Sequence, residues 1–182
     1  MLYTWVRSAG GPFLVAPESE LGHWGGVDDD MEGPVETWGD YGRACSVERS
    51  IGLVTIGSQQ ALVLADEPAR TTYLPAERTF LRCLAADSED ELVAAARQAL
   101  QEHITWEPDE DLVWEIREPV LLFDSAWAGT EIELDNRLHI ALDPGLYRVR
   151  ATYIETGGNW MILVQLQPTG DKHRTAASIA VV

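Results

Sequence analysis

Side chains able to do acid–base or nucleophilic work are scattered through this 182-residue chain. Its four histidines, His23, His103, His139 and His173, lie far apart, and none has a second histidine or cysteine close behind it at metal-binding spacing. Cys45 follows Arg43 by two positions, and a nearby guanidinium would lower the thiol pKa, but the sequence names no base to go with it. The adjacent acids Asp66 and Glu67 could serve hydrolysis, although neighbouring carboxylates alone specify no reaction. Glu107, Asp109, Glu110 and Asp111 could hold a cation or a basic surface, but their spacing is not that of a calcium loop. A glycine-rich phosphate loop, a dinucleotide fingerprint and a Gly-x-Ser-x-Gly elbow are all missing. The pattern predicts no catalytic residue, no cofactor and no metal.

The residues instead suit contact with another protein. Trp24 and Trp38 flank a loop rich in acids (Asp28, Asp29, Asp30, Glu32, Glu36), and Asp40 and Tyr41 follow it directly. Further on, the apolar run Ala61–Ala65 ends in Asp66, Glu67 and Pro68, which places a polar loop at one edge. The candidate partner-binding residues are therefore Trp24, Asp28, Asp29, Asp30, Trp38, Asp40, Tyr41, Asp66 and Glu67, since aromatic side chains anchor interfaces. The competing reading makes the tryptophans core plugs and the Asp66–Glu67 pair a solvated turn.

Charge bears on the kind of partner, although an acidic surface also serves solubility alone. Thirteen Lys and Arg face thirty Asp and Glu, for a formal net charge of −17 and a sequence pI near 4.4. Such a surface repels phosphate backbones, which argues against direct nucleic-acid binding, and it steers in basic proteins. Two cysteines without ligand spacing suit a reducing compartment, with a Cys45–Cys83 disulfide left open. The N-terminus lacks a signal-peptide layout and no apolar run approaches a bilayer's thickness, so the expected location is the cytoplasm, away from membranes.

The elements that must position these residues read as α+β with mainly antiparallel sheet. Strands are expected at Leu2–Arg7, Phe13–Val15, Ile51–Ile56, Ala61–Ala65 and Phe80–Leu84, with a hairpin loop over 57–60 and a helical turn from Pro17 to Trp24. A capping box of Ser88 and Glu91 opens one main helix over about 88–104, with His103 near its end. Beyond the acidic 107–111 loop the chain turns strand-rich, at Val113–Ile116, Val120–Phe123, Thr130–Leu134, Leu138–Leu142, Tyr147–Ile154 and Trp160–Leu166. Asp135-Asn136 reads as a hairpin turn. Tyr147, Val149, Ala151 and Tyr153 should face inward, with Arg148 and Arg150 outward beside carboxylates. One domain over 1–182 is expected, with a division into a hairpin-plus-helix lobe (1–118) and a β-meander lobe (119–170) left open.

Four blocks in order carry a resemblance. Trp5-Val6-Arg7-Ser8-Ala9-Gly10-Gly11-Pro12 with Leu14 comes first, then Trp24-Gly25-Gly26, then Asp40-Tyr41-Gly42-Arg43-Ala44-Cys45. Leu62-Val63-Leu64-Ala65-Asp66-Glu67-Pro68 with Thr72 and Leu74-Pro75 completes it. Together they resemble the immunity protein 21 family of bacterial polymorphic toxin systems. Phe123-Asp124-Ser125-Ala126 and Pro144–Val149 are more loosely similar to nuclease-inhibitor-like β-domains. The resemblance implies a cytosolic antidote that binds a cognate toxin protein, made beside it, and supplies no catalytic residues. A basic nuclease would suit the charge. A small hydrolase or transferase using a carboxylate or Cys45, and a non-catalytic regulatory domain, are the alternative functions.

Overall fold

Phe13–Pro17 carries no polar side chain, and a strand of that kind is stable when both its faces are covered. The structure, a computed structural model that describes residues 3–28, 31–65 and 67–170, covers both. Strand β1 (Phe13–Pro17) is central in a five-stranded antiparallel sheet. Its sheet order is β2 (Ile51–Ile56), β3 (Gln59–Leu64), β1, β7 (Val120–Asp124), β8 (Leu138–Ile140). A second five-stranded sheet has the order β4 (Thr71–Leu74), β5 (Thr79–Ala85), β10 (Asn159–Pro168), β9 (Gly145–Thr156), β6 (Asp111–Ile116), also antiparallel. The fold is α+β, as the segment pattern leads one to expect. Both sheets draw strands from both halves of the chain, because β1 pairs with β7 and β5 with β10.

Alternation sorts the side chains into three apolar layers. Phe13, Val15, Leu62 and Leu64 of the first sheet meet Phe80, Trp114, Val149, Ile162 and Val164 of the second in a shared core. The opposite face of the first sheet (Leu14, Ala16, Val63, Phe123) lies under Trp24, Ile132 and Ala44 of the short helix α1 (Gly39–Cys45). Leu81, Met161 and Leu163 of the second sheet lie under Leu92, Val93 and Ala96 of helix α2 (Glu89–Gln101). Each fully buried Leu, Val or Phe contributes about 1.5–3 kcal/mol by leaving water, so the three layers together supply the driving force for folding.

The helix start is where the cap places it: the Ser88 hydroxyl oxygen accepts from the Glu91 amide at 3.2 Å, with Glu89, Asp90 and Glu91 in the positive first turn. The end comes sooner than 104, because Glu102 turns extended (φ −86, ψ 176). His103 thus lies beyond the last turn instead of within it. Between β2 and β3 the turn is two residues, Gly57-Ser58, not four, since Ile56 already pairs with Gln59.

Several expected strands do not form. Leu2 lies outside the described residues, and of residues 3–7 only Val6 pairs, in a single bridge to Thr71. Thr130–Leu134 is irregular: Ile132 plugs the outer face of the first sheet while Leu134 faces solvent. Asp135-Asn136 therefore makes no hairpin, and the Asn136 side chain instead bonds both backbone groups of Arg7, accepting at 2.7 Å and donating at 2.9 Å. Tyr153 has the inward parity of Tyr147 but is 36% exposed. Both cysteines are free thiols.

One charged side chain spans the two sheets. Arg82 shares an inward face with Phe80, is fully buried, and donates to the carbonyls of Ala65 (2.7 Å) and Glu67, just past the end of β3. Replacing it (Arg82→Met) fills similar volume but strands the buried Ala65 carbonyl, while that of Glu67 keeps the Ala69 amide, and should cost about 2–4 kcal/mol in urea unfolding. A loss below about 1 kcal/mol would show that water replaces these bonds at little expense.

Candidate partner-binding face

The two ends of the acidic loop are fixed by backbone contacts that leave little room. Pro34 leads into a short 3-10 turn, Val35–Thr37, and then into α1. At Gly42 a Cβ would stand 2.1 Å from the Val35 carbonyl oxygen, so only glycine lets the turn and the helix meet. Gly26 has φ +70, and a Cβ there would lie 2.6 Å from the Ala126 carbonyl oxygen. The Val27 amide donates to that same oxygen at 3.0 Å, and the Tyr41 amide donates to the Gly26 carbonyl at 2.9 Å. Loop 24–28, the start of α1 and loop 125–129 are thereby tied into one surface.

Trp24, Asp28, Trp38, Asp40 and Tyr41 all belong to that surface, but they serve it differently. Trp24 is buried, its indole N–H donating to the Ser125 carbonyl at 2.9 Å, so it holds the loop down from inside. Asp40 accepts from the Gly25 amide at 2.8 Å and pairs with Arg43, whose guanidinium also reaches the Thr55 carbonyl and lies 5.8 Å from the Trp24 ring centre. Trp38 and Tyr41 stack with centroids 6.5 Å apart and planes 9° from parallel. Asp28 is exposed against Gly39. Asp29, Asp30 and Asp66 lie outside the described residues. Glu67 is exposed on the loop after β3, at the same end of the first sheet, since Phe13 pairs with both Leu64 and Asp124. Among the described residues no hydrogen bond or ion pair joins Glu67 to the Trp38–Tyr41 group.

One residue of this surface escaped the sequence reading. Trp127, in Ser125-Ala126-Trp127-Ala128-Gly129, is 39% exposed and abuts Gly26. The available signal was a lone indole among small residues in a turn, with no apolar partner at strand or helix spacing to bury it.

Electrostatics here are set by where the positive charges go. Arg43, Arg70, Arg97, Arg117 and Arg148 are held by Asp40, Glu89, Glu77, Glu115 and Asp111 respectively. With Arg82 buried, much of the small positive complement is neutralised in place, and the surplus carboxylates face solvent.

Reactive chemistry finds little support in the same surroundings. Burial raises the Cys45 thiol pKa, the nearby Asp124 adds to this, and the Tyr41 hydroxyl opposes it. Arg43, expected to lower that pKa, is turned instead to Asp40 and Thr55. Among the described residues no group of three or more His, Cys, Asp or Glu is arranged to hold a metal. Nor is any described helix long and apolar enough to cross a membrane.

Burial, reinforced by Cys45 and Asp124, pushes the Tyr41 phenol up to about 12. A raised folded pKa means that the unfolded chain loses its proton first. Stability linked to Tyr41 is therefore intact below about pH 10 and declines as pH climbs towards 12. Urea unfolding at several alkaline pH values should show this decline, and Tyr41→Phe should make it shallower, the buried phenols of Tyr73 and Tyr147 being raised as well; an unchanged slope in the variant would remove Tyr41 as a source.

Comparison with known families adds one finding. A sequence profile described as Immunity protein 21 matches residues 4–159. Neither a curated protein nor a solved structure matches the chain. The matched span takes in β1 to β9, both helices and the whole surface around α1, and the chain belongs to the Immunity protein 21 family.

Proposed function

We propose that this protein is an antidote that binds a cognate bacterial toxin domain stoichiometrically in the cytoplasm and performs no chemistry of its own. Membership of the family carries the proposal. The net charge of −17 gives it a physical form: the toxin is a basic protein, and carboxylates of the antidote stand where an anionic substrate would otherwise lie. A nuclease fits that description, because a protein that grips phosphate backbones must be basic along its cleft.

The surface around α1 is the proposed contact. Asp28, Glu36 and Glu67 offer exposed carboxylates, Asp29, Asp30 and Asp66 belong to the same stretches of sequence, and Trp38, Tyr41 and Trp127 offer rings on a braced backbone. Aromatic anchors surrounded by charge are the composition of interface hot spots. Trp24 and Asp40 support the surface from beneath. The raised Cys45 thiol speaks against a nucleophile at this position, which weakens the hydrolase alternative.

Co-expression with the toxin encoded beside it should restore growth, and purified complex should form at equal molar amounts. Trp127→Ala should weaken binding by about tenfold or more. Asp28→Asn with Glu36→Gln should mainly slow association and flatten its dependence on salt. Growth arrest that persists in the presence of the intact antidote would overturn the proposal. Unchanged binding by both variants would move the contact away from α1.

A further inference from the structure

Strand β6 lies at the rim of the second sheet, with β9 on one side and, among the described residues, no strand on the other. The direction of its free backbone groups follows from its neighbours. The Leu146 carbonyl accepts from the Thr169 amide at 2.9 Å, so the even-numbered residues of β9 turn their main-chain groups towards β10. The odd-numbered ones, Gly145, Tyr147 and Val149, turn to β6 and meet Ile116, Trp114 and Leu112. Asp111, Val113 and Glu115 therefore aim their amides and carbonyls away from the sheet. The strand contains no proline or glycine, and no register shift interrupts its pairing, so none of these blunts the edge.

The side chains on this rim match themselves. Val113 is 56% exposed, and Leu146, its diagonal neighbour on β9, is 51% exposed. Asp111 is paired with Arg148 and Glu115 with Arg117. A molecule of net charge −17 repels its own copies over most of its surface, whereas at this rim the local charges balance. The strand also has polarity: a carboxylate stands at its first residue, Asp111, and a guanidinium, Arg117, one residue past its last. Laid antiparallel against itself about a two-fold at Trp114, it sets Asp111 opposite Arg117 of the second copy, once at each end. A two-fold at Val113 would instead set Asp111 against Glu115, like charge against like. We infer that β6 is the edge through which two copies of this chain join, antiparallel about Trp114, so that their second sheets become one. The two Val113 side chains then lie as diagonal neighbours across the seam. Charge complementarity selects this occupant. A basic strand would bring cations against Arg117 and Arg148, whereas a second β6 answers each end with its opposite, as a two-fold interface requires. The inference does not rest on the antidote reading and adds an assembly to it.

Sedimentation velocity of the full-length protein over a wide range of concentrations tests the contact without any toxin. The mass should double as concentration rises. Val113→Lys puts a charge on the rim, and Val113→Pro removes an amide that faces away from β9, so both should stay monomeric while melting close to wild type. Arg117→Asp should weaken the dimer by about tenfold or more. The register has its own readout. Directly opposite residues in a hydrogen-bonded antiparallel pair have Cα atoms about 5.5 Å apart, within reach of a disulfide. Val113→Cys combined with Glu115→Cys should therefore cross-link two chains on oxidation, and Val113→Cys alone should not. A single-chain mass at every concentration would overturn the inference, as would a dimer that survives both Val113→Lys and Val113→Pro. Cross-linking by Val113→Cys alone, as complete as by the pair, would overturn the two-fold at Trp114. Failure of the co-expression rescue would leave the measured mass unaffected, which separates the two claims.

Discussion

A single buried guanidinium ties the two sheets to the loop that follows β3. Arg82 is fully enclosed among apolar neighbours, an expensive place for a charge unless its donors are satisfied. Its two terminal amino groups donate to main-chain carbonyls of Ala65 and Glu67, just past the end of β3. Both sides are thereby committed. The second sheet cannot slide on the first without stranding the charge, and Ala65 cannot lift away without stranding its carbonyl. The end of the sandwich carrying Glu67 and the 124–128 loop is thus held by a constraint deep inside the molecule.

The surface around α1 inherits this rigidity through closely spaced backbone. Trp24 is pinned to Ser125, Val27 to Ala126 and Tyr41 to Gly26, with glycine at the two points where a side chain would collide. Asp124 braces the neighbouring turn from within, its carboxylate accepting from the Ala9 amide at 2.8 Å and the Ala126 amide at 3.0 Å. On the proposed reading, a frame braced in this way limits the ordering cost of association. Internal ion pairs absorb many of the arginines and leave the negative surplus outward.

Local signals made part of this legible from the amino acids alone. The Ser88–Glu91 cap and the spacing of Leu92 and Ala96 located α2, and the apolar runs at Phe13, Ile51, Ala61 and Val120 located strands, since each depends on near neighbours in the chain. Which strands pair is a long-range matter. Nothing in Phe13–Pro17 announces that Val120–Asp124 will lie beside it, or that Thr79–Ala85 will meet β10. The same gap explains the misread segments. Ile132 gives residues 130–134 the look of a strand, yet it is a plug seated on another sheet. Tyr153 follows a clean alternation and is still 36% exposed, because strand parity gives a face and not the depth of its burial. Arg82 in a run of apolar residues was visible but not interpretable without the carbonyls it serves. At the candidate site the acids and Trp38–Tyr41 could be anticipated from composition, whereas Trp127 could not, as its exposure is created by a loop folded against Gly26.

Action by occupation, without turnover, is the claim on which the functional reading rests, and dose separates the two most directly. With a fixed amount of the cognate toxin domain, residual toxin activity should be measured against increasing antidote. A stoichiometric inhibitor gives a straight decline that reaches zero at one antidote per toxin, does not deepen with longer incubation, and returns active toxin when the complex is denatured and the toxin refolded. Complete loss of activity at a small fraction of that ratio, progressing with time and leaving covalently altered toxin, would contradict it.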